Sequence, residues 1–83
     1  MGASMRIDKY LKVSRIIKRR TLAKEVCDAG RVEVNGRVVK AGHEIQVGDR
    51  VSVRLPQRTW DIVVERVAEN VPAKEAFTLY REV

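Results

Sequence analysis

The sequence predicts one small α+β domain: two short N-terminal helices, then several antiparallel strands, then a C-terminal helix. Three observations carry that prediction. Apolar residues recur at helical spacing up to Ala29, the period drops to two after Gly30, and Asn35-Gly36 sits between two valine-rich runs. Eighty-three residues supply one core and not two, since a chain of this size buries only roughly 60–65% of the surface it exposes when unfolded. The domain is read as residues 5–83, with Met1 to Ser4 an expression remnant ahead of a natural start at Met5.

The elements follow in chain order. Asp8 is placed to cap the first helix, which carries Tyr10, Leu11 and Val13 toward the core. The segment from Ser14 to Arg20 interrupts the helical pattern. A second helix puts Leu22, Val26 and Ala29 on one face with Ala23 and Cys27 beside it, and Gly30 ends it in the left-handed conformation. Val32 and Val34 alternate with Arg31 and Glu33 as a strand. Asn35-Gly36 then closes a hairpin with Val38 and Val39 returning. Ala41 to Gln46 reads as loop with a short extended stretch at Ile45, and Val47-Gly48-Asp49 reads as a turn. Val51, Val53 and Leu55 form a strand that Pro56 ends, and Trp60, Ile62 and Val64 alternate as the next. Pro72 suits the first turn of a last helix with Ala76, Phe77 and Tyr80 on its apolar side.

Composition excludes several classes. With 45% hydrophobic and 34% charged residues the chain is neither disordered nor a low-complexity tract. Its apolar runs fall well short of the ~20 residues that span a bilayer, and no signal peptide is visible. The one cysteine, Cys27, has no partner for a disulfide or a thiolate zinc site, so the expected setting is the cytoplasm. The net charge of +6 is unevenly placed: Met5–Lys24 carries eight cations against Asp8 alone, +7, so all other residues sum to −1. Such a concentration attracts polyanions. A merely solvated basic helix face is the plain alternative. Membrane-surface binding fits less well, because the segment lacks bulky apolar residues flanked by Trp or Phe.

Within that segment Lys18, Arg19 and Arg20 stand at the start of the second helix, where the helix dipole disfavours cations. Charge placed against the local field points to function. Guanidinium groups pair with phosphate through two hydrogen bonds and lysine does not, so phosphate binding is assigned first to Arg15 and Arg20. Arg20 is expected to be exposed. The Asn35-Gly36 turn is explained by the hairpin, with RNA contact a lesser reading. His43 has no partner at metal-ligand spacing, Cys27 reads as a buried structural thiol, and Tyr10, Trp60 and Phe77 read as core. The scattered carboxylates form no recognisable acid–base pair, and there is no phosphate loop or nucleophile elbow, so no enzyme activity and no cofactor or metal is expected.

Arg6-Ile7-Asp8-Lys9-Tyr10-Leu11, Ser14-Arg15, Arg20-Thr21-Leu22-Ala23 and Gly30-Arg31-Val32-Glu33-Val34-Asn35-Gly36 together resemble the S4-type RNA-binding domain. The likeness runs over most of Met5 to Leu55. Lys9 to Arg15 and the tail from Pro72 to Tyr80 are further similar to the free-standing S4 proteins of bacteria, among them a ribosome quality control factor and a small ribosome-associated heat-shock protein. The resemblance implies a fold of two short helices packed on a small antiparallel sheet. It implies binding to large ribosomal subunits that hold a stalled nascent chain, with contacts to ribosomal RNA and peptidyl-tRNA and support of chain tailing by an elongating quality-control factor. It places Arg6, Arg15 and Arg20 on RNA-facing helices, with Lys9, Lys12, Lys18 and Arg19 as supporting contacts; the placement of charge along the chain adds a secondary patch at Arg31 and the Asn35-Gly36 turn. The expected state is a monomer. Recycling of free large subunits, as in the heat-shock protein, and less specific binding of structured RNA stay open. DNA binding or a structural role is the remaining alternative, and an appendage to a modifying enzyme is disfavoured by length.

Overall fold

The structure, a computed structural model, describes residues 3–83. A short strand β1 (Ser4–Arg6) leads directly into helix α1 (Ile7–Val13), and after a six-residue connection helix α2 (Arg20–Asp28) follows. Strands β2 (Val32–Val34), β3 (Arg37–Val38), β4 (Glu44–Gln46), β5 (Arg50–Arg54) and β6 (Thr59–Val64) come next, then a 3-10 helix (Ala73–Leu79) and strand β7 (Tyr80–Glu82). Five strands form one antiparallel sheet in the order β3-β2-β5-β6-β7, while β1 and β4 pair as a separate two-stranded ribbon. The predicted α+β class with two N-terminal helices on a small sheet is the observed architecture.

Period-two alternation explains the sheet's inner face. Val32 and Val34 on β2, Val51 and Val53 on β5, and Ile62 and Val64 on β6 are all buried, and register sets Val32 opposite Val53 and Val51 opposite Ile62. The hairpin turn forms as expected, with Asn35 at φ 52° and Gly36 at φ 84°, the two positive values a type I′ turn needs. The helices cover this face through Ile7, Tyr10 and Leu11 from α1 and Ala23, Val26 and Cys27 from α2, all in the same core cluster.

Several expectations are corrected. The N-cap of α1 is Arg6, without a side-chain cap bond, and Asp8 lies inside the first turn and is buried. The buried stripe of α2 is Ala23, Val26 and Cys27 (spacings of three and one), so Leu22 stays 46% exposed and Ala29 is exposed as well. The last helix is of the tighter 3-10 type. It buries Ala76 and Leu79, spaced three apart as a three-residue turn requires, and leaves Phe77 67% exposed instead of in the core. Tyr80 starts β7, a strand that the sequence pattern does not announce. Of the expected remnant Met1 to Ser4, the first two residues lie outside the described residues. Ser4 opens β1 opposite Gln46, and its Oγ donates to Glu44 at 2.6 Å.

The C-terminal segment is fastened to the helices. Tyr10 Oη donates to the Leu79 carbonyl at 2.7 Å across 69 residues, and burial pushes the phenol's pKa well above its ordinary value. Trp60, half-buried, meets Tyr80 edge-on at 5.8 Å, with the Arg58 guanidinium 3.7 Å over its ring.

Candidate nucleic-acid interface

The connection between the helices sets the geometry of the basic face. Ser14 caps α1, and the next residue, Arg15, adopts φ 66°, a left-handed conformation unusual for a residue with a side chain. The Arg15 N–H donates to Lys12 O at 3.1 Å and the Ile17 N–H to Leu11 O at 3.1 Å, so the chain folds back tightly. This turn buries Ile16 and Ile17 and leaves Arg15, Lys18 and Arg19 exposed on the outside. Burying two isoleucines holds Arg15 in a backbone state that costs about 1–2 kcal/mol for an L-residue.

The eight expected contact residues fall into distinct groups. Arg6 and Arg20 meet at Asp8. Arg6 donates from Nε and Nη2 to Asp8 Oδ1 and Oδ2 at 3.3 and 3.2 Å, and Arg20 Nε stands 3.5 Å from Oδ2. The Asp8 side chain is 3% exposed, whereas those of Arg6 and Arg20 are 51% and 47% exposed. Arg20 is exposed as the sequence predicts, and its Nε also lies within ion-pair distance of a buried carboxylate. Lys24, one turn beyond Arg20, joins Arg6, Asp8, Arg20 and Thr21 around a shallow cleft of about 260 Å³.

Arg15 and Lys18 belong to a second cleft, of about 500 Å³, whose walls include Ile16, Leu22 and Leu55. Arg19 is the N-cap of α2 and Lys12 lies in the last turn of α1; both are exposed. Among the described residues Lys12, Arg15, Lys18, Arg19 and Lys24 have no carboxylate within ion-pair distance. Lys9 differs: its Nζ lies 2.6 Å from Glu69, an exposed pair that also holds the Glu69 carboxyl below its usual range. Arg31 is exposed at the α2–β2 junction, and lines neither cleft.

Sequence reasoning missed Asp8 and Lys24. The signal for Asp8 was present: it is the one acid among eight cations from Met5 to Lys24, two residues from Arg6. Such an isolated acid is better placed as an ion-pair partner than as a cap. Cys27 is buried as expected, and burial, with Asp8 and Asp28 adding to it, pushes its thiol up to about 11, far from the range of a nucleophile. No group of three or more metal-ligating side chains occurs among the described residues. No helix there is long and apolar enough to cross a membrane.

Comparison with known proteins places this arrangement in a family. The S4 domain family matches residues 5–51, which spans β1 through the start of β5 and so the whole basic face. The RQC P-site tRNA stabilizing factor of Halalkalibacterium halodurans is 54% identical over 76 residues, covering 92% of this chain and 86% of that protein. The protein of the same name from Bacillus subtilis is 46% identical over 76 residues, covering 92% and 88%. Heat shock protein 15 of Escherichia coli is 32% identical, covering 98% of this chain and 62% of its own length. Among solved structures, the trimeric heat shock protein 15 of Vibrio cholerae superposes with a TM-score of 0.90 at 30% identity, over 98% of this chain and 83% of that one. Motifs, fold and length thus converge: the chain belongs to the S4 domain family.

Proposed function

We propose that this protein is a non-catalytic RNA-binding factor that acts in the cytoplasm on the large ribosomal subunit when a stalled nascent chain remains there on tRNA. In this reading it contacts ribosomal RNA and the P-site tRNA and supports tailing of the stalled chain by an elongating quality-control factor. The observation that carries it is the cationic face itself. Among the described residues five exposed cations of the two helices and their connection have no carboxylate within ion-pair distance, and the same segment holds the Arg6–Asp8–Arg20 cluster. Relatives at 45–54% identity carry the name RQC P-site tRNA stabilizing factor, which supports the ribosomal reading.

Mechanistically, the face neutralises backbone phosphates of folded RNA and recognises shape more than base sequence. Guanidinium forks fix orientation, and lysines add field. Bridging two RNAs holds the tRNA in register for the next elongation step.

The test is to isolate the protein from lysate, sequence the RNA that accompanies it, and assay for peptidyl-tRNA. Large-subunit RNA together with peptidyl-tRNA is the expected result. Recovery of empty free subunits only would favour the recycling role of a heat-shock type factor, to which the 32% identical relative lends its weight. Binding should weaken with salt on a log–log slope of several units, about 0.7 per phosphate for single strands and 0.9 for duplex DNA. A flat response would overturn the electrostatic account.

A further inference from the structure

Asp8 is an anomaly within the proposed interface. A carboxylate is the last group expected at the centre of a surface that attracts phosphate, because it repels the ligand and cancels a cation. It is also 3% exposed, so its charge is held inside the fold at a cost that only close partners offset. Those partners are Arg6 through Nε and Nη2, Arg20 through Nε, and the Lys9 backbone N–H at 2.7 Å. Arg6 leaves β1 and Arg20 opens α2, so one anion joins the guanidinium groups of two elements that are not neighbours in sequence.

We propose that Asp8 is a positioning residue, resting on the RNA-binding reading above: it locks Arg6 and Arg20 in one geometry so that their outward N–H groups form a ready-made seat for an RNA backbone phosphate. With Nε and Nη2 of Arg6 and Nε of Arg20 turned to Asp8, both arginines still border the cleft that Thr21 and Lys24 also line. Freezing both forks before binding removes the ordering cost that each long, flexible side chain otherwise pays on meeting the phosphate. Two cations against one anion still leave the seat with net positive charge.

The proposal makes a prediction opposite in sign to a diffuse-field account. Asp8→Asn raises the net charge from +6 to +7, so a surface that works by field alone binds RNA more tightly. Positioning predicts the reverse: affinity for purified large subunits carrying peptidyl-tRNA falls roughly tenfold, measured well below the variant's melting temperature. Asn keeps an oxygen to accept from the Lys9 N–H, so the helix start is preserved. Equal or tighter binding by Asp8→Asn overturns the proposal and leaves the RNA reading standing. Failure of the parent itself to bind those subunits overturns both. Should Asp8→Asn not fold, the parent supplies a second measurement: the arginine Nε–H protons of Arg6 and Arg20 should exchange with water much more slowly than those of Arg15 and Arg19. Equal exchange at all four arginines would show that nothing is locked and would overturn the proposal.

Discussion

The segment Met5–Lys24 and the rest of the chain hold nearly equal numbers of cations and use them in opposite ways. Met5–Lys24 has eight cations and one acid, and the rest of the chain has nine and ten. On the sheet side, charge closes on itself: Arg54 pairs with Glu33 at 2.9 Å, Arg58 with Glu82 at 2.5 Å and Arg81 with Glu65 at 3.4 Å. Within Met5–Lys24 the lone acid is buried, and five exposed cations have no carboxylate within ion-pair distance among the described residues. Exposed ion pairs add little to stability, so pairing in the sheet mainly leaves that side without a strong field. Basicity here belongs to one segment and not to the molecule as a whole. One region carries the excess positive charge, and the other is close to neutral.

The harshest way to break this comparison is to remove the support both regions share. Leu11 is fully buried between α1 and the core, and Leu11→Ala should lower stability by about 2–5 kcal/mol in urea titration. RNA binding should then fall only in proportion to the unfolded fraction. A loss of affinity with the fold intact would mean that Leu11 shapes the interface directly.

A sharper test separates stability from binding at a single position. Arg15 sits at φ 66°, where glycine is at ease, so Arg15→Gly should leave stability unchanged or raise it by up to about 1 kcal/mol. Affinity for structured RNA should nevertheless drop by about 1–2 kcal/mol, because a charge-assisted contact is lost. Unchanged affinity would remove Arg15 from the interface. A large fall in melting temperature would show that the side chain holds the turn.

The smallest expected effect lies in the sheet. Arg54→Gln removes the pair with Glu33 and should cost about 0.2–1 kcal/mol of stability. RNA affinity at fixed salt should not change measurably, although the net charge falls by one. If Arg54→Gln weakens binding as much as loss of a helical arginine does, the field is diffuse and the contrast between the two regions disappears.

Much of this organisation was legible in the chain. The change of period at Gly30, the Asn35-Gly36 hairpin and the clustering of cations before Glu25 are local properties, and local properties survive into the fold because backbone sterics and charge placement need no distant partner. That the candidate cations stay at the surface was readable for the same reason, since tertiary packing does little to rearrange exposed charges. What failed depended on residues far apart in sequence. The β1–β4 ribbon pairs Met5 with Ile45, and no period in a three-residue strand announces a partner 40 positions away. Phe77 was expected in the core from its helical spacing with Ala76 and Tyr80. The 3-10 winding, fastened where Tyr10 bonds the Leu79 carbonyl, turned that preference around. Asp8 read as a cap because capping is a local role, whereas its partners are set by how α2 packs against the start of α1. Sequence alone thus determined the two N-terminal helices, the hairpin, the central strands and which region is cationic, through short-range sterics and composition. Only the tertiary structure decided which arginines share an anion and which aromatic faces water, because both depend on the packing of helices against a sheet built from distant strands.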